Sequence, residues 1–299
     1  MKVTTPNTIN LLSSNVSESL HSEWDSGVTY STGDRVYVTL ESDGTTERAP
    51  HRIFESTADS NTGNYPPDTS QWALVGSTNR WRMFDEFTSS QTENATSIDV
   101  TLGMAGDRLA LLDVVANTVQ IVTRDSNGTQ LDDVTIDLNE PFVTDWFEYF
   151  FAPIERRQSL AIDLPADTAE IDLTVNDPNA AKVGTTVIGN TVNLGTTTFG
   201  AQVSLKDFSR KETSSFGETT LIERDSARIL DVPVFLTDDT TAQVIDRIAS
   251  TRGTAVLWDA NESGAQFDAL RTFGFFRDFD PEVSGLGDVT YNIEIRGLT

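Results

Sequence analysis

At 299 residues, 37% of them hydrophobic and including 16 Phe and 5 Trp, the chain has material for two or three packed cores and is not a disordered protein. It carries 21 Lys plus Arg against 46 Asp plus Glu, a formal net charge of −25, a field that repels a phosphate backbone and argues against nucleic-acid binding. Cysteine is absent, which removes disulfides, thiolate nucleophiles and cysteine metal sites together.

Residues 1–23 are rich in Ser, Thr and Asn, with a short apolar patch at Ile9, Leu11 and Leu12, and the expectation is an arm that docks elsewhere or stays loose. Met1-Lys2-Val3-Thr4-Thr5-Pro6 lacks the apolar core of a signal peptide. No later run approaches the length of about 18 apolar residues that a spanning helix needs, so a protein made in a cytoplasm, without membrane insertion, is expected.

Residues 24–77 predict a small β module. Gly33-Asp34 turns the chain into a strand over 35–40, in which Val36, Val38 and Leu40 alternate, and further strands are expected at 51–55 and 71–75. Residues 78–195 repeat strand-sized blocks between turn signals, at 80–87, 97–102, 109–113, 118–124, 131–138, 146–151, 159–164, 169–175 and 181–188. Asn127-Gly128 marks a hairpin, and the spacing predicts a β-sandwich.

Residues 196–299 predict an α+β unit with strands at 198–205, 219–223, 227–236, 254–258, 270–279 and 289–295. One helix is expected over 239–250, with Thr237, Asp238 and Asp239 capping it. Ala242, Ile245, Ile248 and Ala249 would share one face, and Gly253 follows the end. The fold class expected is mainly β and multidomain: a small β module, a β-sandwich, and a C-terminal α+β barrel-like domain with one helix.

Chemistry finds little support. The two histidines, His21 and His51, sit in no Gly-x-Ser-x-Gly setting, and no His-Glu-x-x-His occurs. Gly285-Leu286-Gly287 precedes a strand and reads as a turn, not a nucleotide fingerprint. Asp132-Asp133 and Asp238-Asp239 read as solvated faces and helix caps in a carboxylate-rich chain. The expectation is a non-enzymatic protein with no catalytic residue, no cofactor and no metal site.

Aromatic residues carry more information. Asp145-Trp146-Phe147-Glu148-Tyr149-Phe150-Phe151 is apolar on both faces, as a strand covered on both sides would be, and Trp81 and Met83 read as core. Trp24, Tyr30, Tyr37, Tyr65 and Trp72 crowd the small module, where they serve either as its core or as rings that stack on a sugar.

Trp24, then Tyr30-Ser31-Thr32-Gly33-Asp34-Arg35-Val36, Arg52-Ile53-Phe54-Glu55-Ser56, Pro66-Pro67 and Trp72 resemble the small chitin-binding-type carbohydrate-binding modules. The resemblance implies a sugar face built from Trp24, Tyr30, Tyr65 and Trp72, and a host cell-surface polysaccharide as partner. Where that family carries adjacent tryptophans after the middle strand, this chain has Thr57-Ala58-Asp59-Ser60-Asn61.

The remainder resembles tailed-bacteriophage tail proteins. The resemblance runs through Thr78-Asn79-Arg80-Trp81-Arg82-Met83-Phe84-Asp85, Asp145-Trp146-Phe147-Glu148-Tyr149-Phe150-Phe151, Phe208-Ser209-Arg210-Lys211-Glu212-Thr213, Arg252-Gly253-Thr254-Ala255-Val256-Leu257-Trp258, Phe273-Gly274-Phe275-Phe276-Arg277-Asp278-Phe279 and Tyr291-Asn292-Ile293-Glu294-Ile295-Arg296-Gly297-Leu298. The last three strings are similar to distal-tail and tube-like proteins. What this implies is a virion structural protein that forms a homo-oligomeric ring with other tail proteins. Its assembly domain would be 196–299, with Lys206, Arg210 and Lys211 docking on neighbours.

Overall fold

The computed structural model describes residues 1–18, 21–68, 70–103, 106–139, 146–151, 156–213, 215–237, 241–261, 265–283 and 288–298. The fold is mainly β and multidomain, and the described residues form apolar cores in the small module, the sandwich and the C-terminal region.

In the small module the strands Ser22–Glu23, Arg35–Leu40, Glu47–Ser56 and Trp72–Ser77 form one sheet in that order, and Thr29–Tyr30 pairs with Asn61–Thr62 beside it. The expected alternation in the second strand puts Val36 and Val38 inward, against Tyr30, Phe54 and Trp72.

The sandwich pairs Gln130–Asp137, Thr118–Arg124, Glu170–Asn176, Ser97–Gly103 and Leu11–Ser14 into a five-stranded sheet. Ile98, Val100 and Leu102 alternate inward from one strand, and Ile171, Leu173 and Val175 from its neighbour. They meet Leu109, Leu111, Val183 and Ile188 from the facing sheet. Along Arg108–Val115 the neighbours Ala110 and Leu112 belong to a second apolar cluster with Val187, Leu257 and Phe273, so this strand is covered on both faces.

That facing sheet is the backbone of the molecule. Its order runs Ser159–Asp163, Arg108–Val115, Ala181–Asn193, Lys2–Pro6, Val256–Asp259, Arg271–Val283, Asp288–Gly297, Ser226–Thr237 and Thr196–Thr197. It curls into a half-barrel. Lys2–Pro6 lies in the middle, with Val3 opposite Val192 on one side and Trp258 on the other.

Of the described residues within 1–23, expected as an arm, three stretches are therefore built into the chain's own sheets. Lys2–Pro6 joins the sandwich half to the C-terminal half, Leu11–Ser14 edges the five-stranded sheet, and Ser22–Glu23 runs parallel to Arg35–Leu40. The apolar signal was there in Val3, but its partners lie some 190 and 250 positions along the chain, so no local period announces them. Gly189 permits the crossing: a Cβ on it would lie 1.9 Å from the Thr5 carbonyl oxygen.

The C-terminal core gathers Met1, Val3, Leu230, Val232, Val234, Trp258, Ile293 and Ile295 beneath the helix Thr241–Ser250. That helix buries Val244 and Ile248, one turn apart, whereas Ala242, Ile245 and Ala249 of the expected face are exposed. Gly253, at φ 72°, follows its end as expected, and Asp238 and Asp239 lie outside the described residues.

Two expected strands in the sandwich region are not strands. Residues 82–84 form a 3₁₀ turn that sinks Trp81 and Met83 into the interior, so the core reading of both side chains holds although the conformation differs. Trp146–Phe151 is a short helix, and Trp146 is 79% exposed with its ring stacked on Phe150 at 6.3 Å between centroids. A run of aromatics carries neither a period of two nor one of 3.6, so composition could not separate strand from helix.

Candidate assembly and recognition surfaces

The four aromatics expected to make a sugar face do come together, but two of them are core. Tyr30 and Trp72 are buried edge to face, with centroids 5.2 Å apart, and both polar atoms are used: Asp25 N donates to the Tyr30 hydroxyl at 2.9 Å, and Trp72 Nε1 donates to the Asn64 carbonyl at 3.0 Å. Trp24 and Tyr65 are half-buried, 5.5 Å apart and edge to face, with the Tyr65 hydroxyl donating to the Leu40 carbonyl. A module of about fifty residues spends its large rings on its own interior.

His51 sits at the junction of the module with the rest of the chain. It is buried, and its Nδ1 donates to Glu18 Oε1 at 2.9 Å, while Thr78 Oγ1 donates to Glu18 Oε2 at 2.7 Å and Arg80 pairs with the same carboxylate at 2.8 Å. Burial pushes the Glu18 carboxyl up, but the hydrogen bonds from His51 and Thr78 and the charges of His51 and Arg80 outweigh it, and the group lies below its ordinary value.

Lys206, Arg210 and Lys211 fall on one long hairpin. Gln202–Asp207 pairs with the start of Ser226–Thr237, and beyond a bend Arg210–Thr213 pairs with Thr219–Ile222. At the bend Phe208 N donates to the Asp225 carbonyl at 3.2 Å and Arg224 N to Ser209 Oγ at 3.1 Å. Lys206 Nζ lies 5.2 Å from the Phe208 ring centroid, and Arg210 Nε pairs with Glu212 at 3.2 Å. The hydroxyl and backbone N–H of Ser209 hold the Asp207 carboxyl below its ordinary value.

Every residue of these two outer strands and of Gln202–Asp207 is exposed. Phe216 near the tip is 93% exposed and Leu221 75%, with Phe199, Val203, Leu205, Phe208 and Ile222 also open to solvent. Those apolar residues are the ones that sequence reasoning missed. Phe199, Val203, Leu205, Leu221 and Ile222 fell in expected strands at 198–205 and 219–223 with no face assigned, Phe208 and Phe216 fell outside them, and the usable signal was that Arg210-Lys211-Glu212-Thr213 offers no apolar partner face across the hairpin. No protein-family model matches this chain, and no curated protein does either.

Proposed function

We propose that this chain is a structural subunit of a tailed-bacteriophage tail, acting at a tail tip, baseplate or distal ring and joining copies of itself to neighbouring tail proteins. The observation that carries the reading is the hairpin from Gln202 to Asp231, whose outer strands form a separate two-stranded sheet and whose Phe208, Phe216, Leu221 and Ile222 are exposed. A subunit that stays alone gains nothing from such a patch, whereas burying Phe216 and Leu221 against a neighbour contributes on the order of 3–6 kcal/mol. A head-to-tail contact of this kind closes into a ring when the rotation between copies permits it. The resemblance of the strings at 252–258, 273–279 and 291–298 to distal-tail and tube-like proteins, read from the sequence, supports the same reading.

Antibodies against the chain should label the tails of virions that encode it in electron micrographs, and its absence from purified particles would overturn the reading. A second reading, adsorption to a cell-surface polysaccharide, draws on the half-buried pair Trp24 and Tyr65. It expects retention on an insoluble polysaccharide such as chitin or cell wall that Trp24→Ala abolishes. Retention unaffected by that change would leave the module as a spacer.

A further inference from the structure

A cavity of about 1040 Å³ lies between residues of the sandwich half, the C-terminal strands and the base of the hairpin. Four arginines line it, Arg156, Arg157, Arg228 and Arg271, against two carboxylates, Asp113 and Asp268. In a chain with 21 Lys plus Arg to 46 Asp plus Glu, arginines outnumber carboxylates along this lining, although Asp177 and Asp259 behind it pair with Arg156 and Arg271.

The four arginines divide into two pairs. Arg271 is buried and held by Asp259 and Asp268, each at 3.2 Å, and Arg157 grips both oxygens of the same Asp268 at 2.6 and 3.3 Å. These two are framework. Arg156 gives one N–H to the buried Asp177, and Arg228 gives one to the Arg271 carbonyl oxygen at 3.1 Å. A guanidinium has five donors in a rigid fork, so both keep donors that no described residue accepts. Asp113 is engaged by Gln91, whose Nε2 donates to its Oδ2 at 2.9 Å, and Leu112, Phe273 and Leu298 add apolar wall.

We infer that this cavity is an oxyanion site, taking a ligand that presents a carboxylate or phosphate to Arg156 and Arg228 and an apolar flank to Leu112, Phe273 and Leu298. The oxyanion comes either from a free small anion or from an acidic side chain of a second copy, whose net charge of −25 complements the arginines. The site itself does not depend on the tail reading.

Calorimetric titration of the full chain with citrate and with inorganic phosphate, alongside sedimentation equilibrium of the same samples, separates the sources. A free-anion site binds one of the probes and loses about tenfold in affinity in Arg228→Gln. A second-copy site binds neither probe, but the same substitution weakens self-association about tenfold. Neither probe binding together with unchanged self-association overturns the inference, as does probe binding that Arg228→Gln leaves intact. Arg228 is exposed and makes one hydrogen bond, so the variant should fold. If it melts early, Arg228→Lys, which keeps the charge and loses the fork, is read by the same criteria. Variants at the hairpin tip leave the citrate and phosphate titrations untouched, so this inference and the assembly reading fail separately.

Discussion

Asp259 is 2% exposed and lies between two buried guanidiniums, pairing with Arg108 and, at 3.2 Å, with Arg271. Arg271 in turn meets Asp268, which meets Arg157, so alternating charges tie Arg108 of the sandwich half to the C-terminal strands. Removing the central carboxylate strands two buried cations. Asp259→Ala should therefore destabilise the protein by about 3–5 kcal/mol in urea unfolding, whereas replacing an exposed pair such as Lys2 with Asp163 should cost under about 1 kcal/mol.

Glu18 gives a residue-level dependence on pH. Its folded-state carboxyl is depressed, so its contribution is complete above the ordinary value of 4.5 and is lost as pH falls through the lower folded value. The bonds lost are those joining His51 of the small module to Thr78 and Arg80. Stability of the wild type should fall more steeply below pH 4.5 than that of Glu18→Gln, as read by thermal melting at stepped pH. Equal slopes would show that the junction does not titrate.

Among the elements, Lys2–Pro6 has the largest consequence for its length, because it is hydrogen-bonded on both sides and carries Val3 into the C-terminal core. Gly189→Ala places a methyl group against the Thr5 carbonyl, and overpacking of this kind costs about 1–3 kcal/mol. Hydrogen exchange should then rise in Lys2–Pro6 and Val256–Asp259 ahead of Ser97–Gly103, and a uniform rise would argue against a strand that locks two halves together.

The same element marks the limit of what sequence alone discloses. Strands with one face buried were legible from alternation, as in Thr118–Arg124 and Glu170–Asn176, where Val119, Ile121, Ile171 and Leu173 fall inward in turn. The aromatic run Trp146–Phe151 had no period to read, and Lys2–Pro6 needed partners from opposite ends of the chain. At the candidate sites, Trp24, Tyr30, Tyr65 and Trp72 were legible as a cluster, but which of them face inward follows from packing. The meeting of Arg156, Arg157, Arg228 and Arg271 depends on three separate stretches of chain.

At the scale of the whole molecule, the large sheet runs through the N-terminal strand, the sandwich and the C-terminal strands, so force or contact at one end is carried by backbone hydrogen bonds to the other. A continuous sheet with an exposed hairpin at its end suits a subunit that is held in an array. The small module has its own core and connects through a junction at which His51 bonds Glu18, accepts from Thr78 N and meets the Trp81 ring at 5.1 Å. On the proposed reading, the outer hairpin joins copies. Sedimentation of the purified full chain across a hundredfold concentration range, compared with the double variant Phe216→Ser and Leu221→Ser, tests it most directly. The wild type is expected to form concentration-dependent oligomers and the variant to remain a folded monomer. A wild type that remains monomeric throughout, or a variant that assembles equally well, would contradict it.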